Sequence, residues 1–540
     1  MFDVIILGGT IVDGTGSPGY RADIGINNDR ITAISNLSKA VSSRIINAAG
    51  KTITPGFIDT HVHSDSALLS NPKHPEGILQ GITTEILGQD GLSYCPLSPK
   101  NYKIYGRYLK GILGDPPANL DPSSVSSFRK AYDGTTAVNT AYLIAHGALR
   151  LETCGFEDIP MLDDRLEHAR RLVEEGMEQG AVGLATGMSY HPQAWSDTTE
   201  LVEICKPVAN AGGVYVTHLR DVNRDRAFGN GGVPEALEIG RQSGVKVHFS
   251  HYRTAAGTEG LVKERFAEID ASNGEVDVSG DLYPYPTGST FPASNLPSYA
   301  HIGGPDAMIE RLRDPQQKSE IIKHIEANTK RPLGQSVLSY LPKHPHLEGM
   351  VLGDIAEKLG MGLGESLCHL LVEEDLQIAF WGSPPDSART WQQISRDSQD
   401  FLARPDFMIG SDSIHVGNFP HPRAYGTFPR FIGRLRRQFN ILSLEQVIQR
   451  ATENPAQRFG LTNRGNIRKN YFADLVIFDP EEIIDTATFD NAKQHPRGIS
   501  HVLVNGQVNG VQDVLGNVPC QALGPQVDQY QVRVGSAGDD

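Results

Sequence analysis

The stretch "TPGFIDTHVHSD", residues 54–65, decides the fold because it joins a short apolar strand directly to two histidines. Side chains at positions i and i+2 of a strand point to the same face, so His61 and His63 can direct both imidazoles at one point. Two converging imidazoles suit zinc. Such a pair also occurs on exposed strands without any metal, so the rest of the chain has to supply further ligands.

Size and composition exclude several classes of protein. The 540 residues allow about three domains, or one large barrel with an accessory unit. A hydrophobic content of 39% and a charged content of 21% are typical of a folded protein. The net charge of −15 argues against nucleic-acid binding, which needs a basic surface. No apolar stretch approaches the roughly 18 residues that a membrane helix needs, so we expect no membrane association.

The cysteine content predicts a cytoplasmic protein with reduced thiols. The number of cysteines is odd, and none of them forms a C-x-x-C pair. The N-terminal sequence has Asp3 where a signal peptide carries positive charge, and its apolar run is short. The five cysteines are Cys95, Cys154, Cys205, Cys368 and Cys520.

Both ends of the chain have a β-rich pattern. "VIILGGTIVDG" (4–14) contains two apolar runs joined by Gly8 and Gly9, and "DIGINNDRITAI" (23–34) alternates around Asn27-Asn28-Asp29. "HVLVNGQVNG" (501–510) has Asn505-Gly506 at a turn, after the apolar run "ADLVIFDP" (473–480). All of these patterns predict hairpins or short strands. We therefore predict one small β-sandwich built from residues 1–56 and from residues 464–540, which include a C-terminal tail.

The middle of the chain repeats a strand-helix pattern about eight times, which predicts a parallel (β/α)8 barrel of the TIM type over residues 57–463. "RLEHARRLVEEGMEQG" (165–180) is one of the intervening helical patterns. An interval at about 285–400 is too long for one connection and predicts an insertion over the barrel mouth. The seventh strand is either 276–283 or "LQIAFWG" (376–382). The apolar runs are 56–61, 83–88, 140–146, 181–187, 213–218, 245–251, 276–283 and 406–412.

Possible metal ligands follow several of these runs. They are His61 and His63, then Asp90, His218, His251 and Asp412. The C-terminal ends of barrel strands meet at one mouth, so residues far apart in sequence become neighbours there. Zinc with an open coordination position lowers the pKa of bound water from 15.7 to about 7. A carboxylate such as Asp412 can then take a proton from water and pass it to a leaving nitrogen; alternatively, Asp412 is a turn or N-cap residue.

Longer motifs make the resemblance specific. The chain resembles the amidohydrolase superfamily, and within it the D-aminoacylase (N-acyl-D-amino-acid deacylase) family. The resemblance covers nearly the whole chain and implies a distorted TIM barrel with a small β-domain. The matching motifs are "PGFIDTHVHSD", "GLATGMSYHP" (183–192), "THLRD" (217–221), "DLYPYPTGST" (281–290), "MIGSDSIHVGNFPHPRAYGTFPR" (408–430) and "NPAQRFGLTNRG" (454–465).

The resemblance also implies roles for single residues. It makes His61, His63, His218 and His251 metal ligands and Asp412 the catalytic aspartate. Further residues are implied in substrate binding: Arg423 as the group that grips the substrate carboxylate, Arg253 where the family often has lysine, and Tyr190, Tyr283 and Ser289 in the pocket. An alternative for Arg423 is a scaffold pair with a nearby aspartate. His415 and His421 are expected at the surface, although their loop lies close enough for them to assist.

One position departs from the family pattern. The D-aminoacylases carry a cysteine ligand after strand two, whereas "GQDG" (88–91) has Asp90 at that position. Cys95 lies five residues later and is the alternative ligand. A bridging carboxylate favours two bound metals, or a metal less thiophilic than zinc. The fourth run, "AVGLATG", lacks the lysine of hydantoinases and dihydroorotases, which weighs against a cyclic-amide hydrolase of that type.

The resemblance therefore implies a zinc-dependent hydrolase of N-acyl-D-amino acids, with one or two metals per chain and an anionic small-molecule substrate. Other divalent metals and an oligomeric assembly remain open. One alternative is another amidohydrolase that cleaves cyclic amides or imides, lactams or dipeptides, because the fold does not fix the function. A second alternative is a catalytically inactive scaffold, which the complete set of ligand residues disfavours.

Overall fold

The computed structural model describes residues 1–328 and 333–510. Its first strands, in chain order, are β1 (Phe2–Leu7), β2 (Thr10–Ile11), β3 (Tyr20–Arg21), β4 (Asp23–Asn27), β5 (Arg30–Ser35), β6 (Ser42–Asn47), β7 (Thr52–Pro55), β8 (Phe57–Asp59), β9 (Val62–His63), β10 (Ile82–Leu87), β11 (Asn139–Ala145) and β12 (Gly183–Gly187). The later strands are β13 (Val214–His218), β14 (Lys246–Phe249), β15 (Val278–Leu282), β16 (Ser289–Thr290), β17 (Ser336–Tyr340), β18 (Ala379–Gly382), β19 (Phe407–Ile409), β20 (Ser413–Ile414), β21 (Leu475–Phe478), β22 (Ile499–Val504) and β23 (Gln507–Gly510).

The helices lie between the barrel strands, in the insertion and after the last barrel strand. They are α1 (Ala67–Ser70), α2 (Pro75–Ile78), α3 (Pro99–Tyr108), α4 (Lys110–Leu113), α5 (Val125–Lys130), α6 (His146–Cys154), α7 (Asp163–Glu178), α8 (Thr198–Asn210), α9 (Gly232–Ser243), α10 (Val262–Asp270), α11 (Gly304–Arg313), α12 (Pro315–Asn328), α13 (Leu352–Leu359), α14 (Leu363–Glu373), α15 (Ala388–Ala403), α16 (Arg423–Pro429), α17 (Arg436–Phe439), α18 (Leu444–Ala451) and α19 (Glu453–Arg458). Within the described ranges, no helix combines the length and apolar character needed to cross a bilayer.

Eight parallel strands form the barrel, in the order β8-β10-β11-β12-β13-β14-β15-β19. Each of these strands overlaps one of the predicted apolar runs, so the predicted fold class is confirmed. The seventh strand is β15, because β18 pairs instead with β16 and β17 in a separate sheet of the insertion. The first and last strands meet through Thr60, which bonds to the carbonyl of Ile409, and through the parallel pair β9 and β20.

The two ends of the chain form two further sheets, in the orders β5-β4-β1-β6 and β23-β22-β21-β7-β2-β3. The second sheet joins strands from both termini. Aliphatic residues such as Ile6, Ile24, Ile53 and Leu475 are fully buried between them. The domain boundaries near residues 56 and 463 stay a prediction, and the tail from residue 511, with Cys520, lies outside the described residues.

Two of the predicted hairpins are present, and one is wrong. Strands β4 and β5 pair across Asn28, and β22 and β23 pair across Asn505 and Gly506, all three residues having positive φ. Asparagine and glycine adopt this left-handed conformation at little cost, which suits both residue types to such turns. The segment around Gly8 is not a hairpin, because β1 and β2 belong to different sheets. Gly8, at φ +75, turns the chain from one sheet to the other.

Candidate metal centre

All six predicted ligands lie together at the C-terminal mouth of the barrel. His61 and His63 follow β8, Asp90 follows β10, His218 ends β13, His251 follows β14, and Asp412 follows β19. Three overlapping groups of these residues each bring three ligand atoms within 4.8 Å of one another. These groups are His61, His251 and Asp412; His61, His63 and Asp90; and Asp90, His218 and His251.

Asp90 lies at the centre of the cluster and contacts both halves of it. Its Oδ1 is 3.5 Å from His61 Nε2, and its Oδ2 is 3.5 Å from His218 Nδ1. The same Oδ2 lies 3.7 Å from His251 Nε2 and 3.8 Å from His63 Nε2. One carboxylate therefore faces all four imidazoles, which is the arrangement that a ligand shared by two metal ions requires.

Three of the predicted ligands have positive φ angles, a backbone conformation that residues other than glycine rarely adopt. The φ angles are +55 for Asp90, +37 for His251 and +53 for Asp412. Non-glycine residues in this region cost about 1–3 kcal/mol each and persist where the surrounding structure holds them. Here the cost accompanies side chains that turn away from the strand and toward one point at the mouth.

The residues fit a bound zinc ion. His61 Nε2 and Asp90 Oδ1 are buried and have no hydrogen-bond partner in the described structure. Buried polar atoms without partners are costly, and a metal would satisfy them. Zinc–ligand distances of about 2.0–2.1 Å place tetrahedral ligands about 3.3–3.4 Å apart. His63 Nε2 and Asp412 Oδ1 are 3.3 Å apart, and His218 Nδ1 and His251 Nε2 are 3.0 Å apart.

The electrostatics of the cluster favour positive charge. Burial disfavours the charged form of His61, but Asp90, Asp281 and Asp412 outweigh it and raise the pKa of His61 well above its ordinary value. Burial likewise opposes ionisation of Asp412, but Arg423 and His61 hold its pKa below the ordinary value. Several ionised carboxylates thus converge in a buried site, where a divalent cation would compensate their charge.

A cavity of about 610 Å³ opens on the cluster and contains most of the predicted substrate-binding residues. Tyr190, Tyr283, Ser289 and Arg423 line it, whereas Arg253 lies behind Tyr283 and is absent from the lining. The guanidinium carbons of Arg253 and Arg423 lie 4.3 and 4.6 Å from the centre of the Tyr283 ring. Arg253 also donates to the Tyr283 hydroxyl at 2.7 Å.

Arg423 makes the aspartate contact that the sequence left open as an alternative. Its Nη1 donates to Asp412 Oδ2 at 2.7 Å, and its Nη2 donates to the carbonyl of Ser289 at 3.1 Å. Its Nε is buried and has no hydrogen-bond partner in the described structure. Arg423 therefore fixes one oxygen of Asp412 and keeps donors for a ligand in the cavity.

Cys95 lies in the hydrophobic core and not in the metal cluster. The residue is fully buried, and burial raises the pKa of its thiol well above the ordinary value. Its neighbour in sequence, Asp90, is the residue that enters the cluster. Together with Cys154, Cys205 and Cys368, Cys95 is a free thiol, as the sequence predicts for the described cysteines.

The expected surface position of His415 and His421 is wrong. His421 is 2% exposed; its Nε2 pairs with the Thr287 hydroxyl at 3.2 Å, and its Nδ1 accepts from the backbone of Arg423 at 3.1 Å. The ring nitrogens of His415 are buried, and the ring packs edge-on against His74 at 5.2 Å. The loop that follows β20 folds inward over the barrel, which places both rings in the interior.

Sequence reasoning missed two buried aspartates beside the cluster. Asp281, on β15, lies 3.6 Å from His61 Nδ1 through its Oδ2. Asp59, on β8, accepts the backbone N–H groups of His61 at 3.2 Å and Ser411 at 2.8 Å, and so ties the first strand to the last. The signal for Asp281 was present, because it is a carboxylate near the C-terminal end of a barrel strand, as Asp412 is.

Comparisons with known proteins identify the relatives of this chain. The Amidohydrolase family model matches residues 44–509. A D-aminoacylase of Alcaligenes xylosoxydans xylosoxydans is 33% identical over 516 residues, which cover 94% of each chain. A similar solved structure is the crystal structure of an N-acyl-D-glutamate deacylase from Bordetella bronchiseptica, in complex with zinc and a phosphonate mimic of the tetrahedral intermediate. Its TM-score is 0.80 and its sequence identity 28%, and the match covers 99% of this chain and 100% of that chain. A D-aminoacylase structure with a binuclear metal centre has a TM-score of 0.75, 32% identity, and coverage of 94% and 96%.

Proposed function

The chain belongs to the amidohydrolase family, and from this premise we propose that it is a metal-dependent hydrolase of N-acyl-D-amino acids. The reaction cleaves the linear amide to a carboxylate and a free D-amino acid. The names of the relatives support this substrate class and its D configuration, because one is a D-aminoacylase and another an N-acyl-D-glutamate deacylase. The observation that carries the proposal is the four-histidine, two-aspartate cluster, five of whose six residues line a cavity that Arg423 also lines.

The proposed metal ligands are His61, His63, Asp90, His218 and His251, with Asp412 at the edge of the same cluster. Zinc supplies Lewis-acid polarisation of an amide carbonyl and lowers the pKa of water. The proposed number of ions is one or two per chain. Because the ligands are nitrogen and oxygen atoms without sulfur, the site also accepts harder divalent metals.

Asp412 is the proposed general base and acid. Its Oδ1 faces the cluster, 3.3 Å from His63 Nε2, while Arg423 holds its Oδ2. In this orientation one carboxylate oxygen faces the proposed metal ligands His61 and His63. Asp412 accepts the proton of the attacking water and donates it to the departing amine nitrogen, a role that contributes about 10²–10⁴-fold in rate.

The substrate carboxylate binds at the Arg423 side of the cavity in this proposal. Arg423 offers guanidinium N–H groups, and Tyr283 and Ser289 add polar groups on the same wall. Guanidinium recognises carboxylate through charge-assisted hydrogen bonds. Arg253 supports Tyr283 through the hydrogen bond to its hydroxyl and is not among the cavity-lining residues. Tyr190 lines the cavity, and its hydroxyl hydrogen-bonds to Thr290 Oγ1 at 3.1 Å.

A substrate panel tests the proposal. Zinc-loaded and chelator-treated protein is incubated with N-acetyl-D- and N-acetyl-L-amino acids, small cyclic amides and dipeptides, and the released amine is measured. We expect metal-dependent hydrolysis of the N-acetyl-D-amino acids only. Hydrolysis of cyclic amides alone would reject the linear-deacylase assignment. A protein that binds no metal and hydrolyses none of the panel would support the scaffold alternative.

We also propose a cytoplasmic location, which rests on the reduced thiols. All four described cysteines are buried and unpaired, as in proteins of reducing compartments. The partner of the protein is its anionic small-molecule substrate. Fractionation of the producing cell, with enzymatic activity as the readout, tests the location.

A further inference from the structure

We propose that Asp281, supported by His248, is a positioning residue that fixes His61 and His251 as metal ligands. The inference rests on the metal centre of the proposed function and concerns residues outside it. Asp281 is fully buried, so its carboxylate needs partners for both oxygens. Within the described residues, its carboxylate contacts two residues of the metal cluster, His61 and His251, and the neighbouring His248.

The contacts of Asp281 divide between its two oxygens. Oδ1 accepts the backbone N–H of His251 at 2.6 Å. Oδ2 lies 2.9 Å from His248 Nε2 and 3.6 Å from His61 Nδ1. The other ring nitrogen of His248, Nδ1, pairs with the Ser279 hydroxyl at 2.7 Å. One carboxylate thus joins the backbone of one ligand to the side chain of another, and a second histidine anchors it.

This arrangement selects the tautomer of His61 that binds a metal. His61 Nδ1 is buried without a hydrogen-bond partner in the described residues, and it faces the Asp281 carboxylate at 3.6 Å, so the acceptor-only carboxylate favours a proton on this nitrogen. A proton on Nδ1 leaves Nε2 with its lone pair. Nε2 is the atom that faces Asp90 at 3.5 Å and Asp412 at 3.7 Å. Carboxylates in such outer positions fix the tautomer and orientation of ligating histidines in many metal sites.

The same carboxylate holds His251 in its left-handed conformation. At φ +37 the backbone N–H of His251 points away from the ordinary strand direction and toward Asp281 Oδ1. Without that acceptor a buried N–H would have no partner, which is unfavourable. Asp281 therefore stabilises the turn that brings His251 Nε2 to 3.0 Å from His218 Nδ1.

The variant Asp281→Asn tests the tautomer directly. The backbone N–H of His251 can only donate, so the amide oxygen has to remain at the Oδ1 position. The amide nitrogen then occupies the Oδ2 position and presents hydrogens to His248 Nε2 and His61 Nδ1, where a carboxylate oxygen had faced both. A donor at this position disfavours the form of His61 that is protonated at Nδ1 and so weakens metal binding at Nε2.

Metal affinity is the readout, independent of any substrate. Competition with a chromogenic chelator should show that Asp281→Asn binds zinc(II) about 10–100-fold more weakly. The visible spectrum of the cobalt(II)-substituted protein should change as one nitrogen ligand is lost. The matched control is Asp277→Asn, the same substitution just before β15, where the carboxylate is exposed and pairs with Arg458 at 2.6 Å. This control should leave both measurements unchanged.

A second pair of variants tests the support from His248 and serves if Asp281→Asn fails to fold. His248→Gln keeps a nitrogen donor near the Nε2 position, and His248→Leu removes it. We expect zinc(II) affinity within about threefold of wild type for the glutamine and a loss of about tenfold or more for the leucine. Because Asp281 Oδ2 accepts a hydrogen bond from His248, the leucine removes this hydrogen bond and leaves every proposed metal ligand unchanged.

The outcomes separate a positioning role from a structural one. Wild-type zinc affinity and cobalt spectrum in both Asp281→Asn and His248→Leu would overturn the inference, even if both variants melt at lower temperature. A wild-type protein that binds metal but hydrolyses no N-acyl-D-amino acid would remove the proposed substrate and leave this inference standing. A wild-type protein that binds no metal would overturn both.

Discussion

The replacement Asp90→Ala should remove metal from the protein, because Asp90 is the ligand that both halves of the cluster share. Its oxygens lie 3.5–3.8 Å from nitrogens of His61, His63, His218 and His251. Removing one partner of a buried, paired charge costs about 3–5 kcal/mol, and in the metal-bound protein that lost partner is the Asp90 carboxylate. At about 1.4 kcal/mol for each tenfold change, this energy corresponds to roughly three orders of magnitude in affinity.

The measured loss should be smaller than this figure and still large. In the metal-free protein Asp90 also favours the protonated form of His61, so part of the interaction is present before metal binds. We therefore expect a loss of about a hundredfold or more in zinc affinity, with activity falling in parallel. Equilibrium dialysis followed by elemental analysis gives the metal content per chain, and thermal unfolding of the metal-free proteins checks that the variant folds.

Two variants serve as controls for Asp90. Asp90→Cys restores an anionic zinc ligand, so it should recover zinc binding. Cys95→Ala removes the alternative ligand, which is buried in the core, and should leave metal content and activity unchanged. The reasoning would be refuted if Cys95→Ala stripped the metal while Asp90→Ala kept it.

Three further predictions concern catalysis, recognition and acid stability. Asp412→Asn should lower kcat by about 10²–10⁴-fold with a smaller change in KM, measured by steady-state kinetics; near-wild-type turnover would exclude Asp412 as the base. Arg423→Lys should lower the preference for an N-acetyl-D-amino acid over its C-terminal amide by about tenfold or more, and an unchanged preference would place the carboxylate elsewhere. Burial opposes the ionised form of Glu200, but Arg150 and His146 lower its pKa from 4.5 to about 2. The stability that this carboxylate contributes is therefore complete above pH 4.5 and is lost as the pH falls toward 2. Glu200→Gln should therefore flatten the decline of Tm between pH 5 and about 3, and an equally steep decline would contradict the assignment.

The sequence by itself determined the barrel and predicted which ligand-type residues meet at its mouth. Strand periodicity and turn chemistry are local properties, so eight apolar runs and the Asn505-Gly506 hairpin are visible without coordinates. The rule that parallel strands present their C-terminal ends at one mouth then brought distant ligands together. The resemblance to the family motif also favoured Asp90 over Cys95, because it fixed the alignment of the residues after strand two.

Only the tertiary structure decided which elements pair and which polar groups touch. The run at 376–382 has the same apolar pattern as the true seventh strand, and its partners, β16 and β17, are separated from it in sequence. The contacts of Asp281 with His61, and of Arg423 with Asp412, depend on the directions in which loops leave their strands. Those directions follow from packing between residues far apart in the chain, which local sequence patterns do not encode.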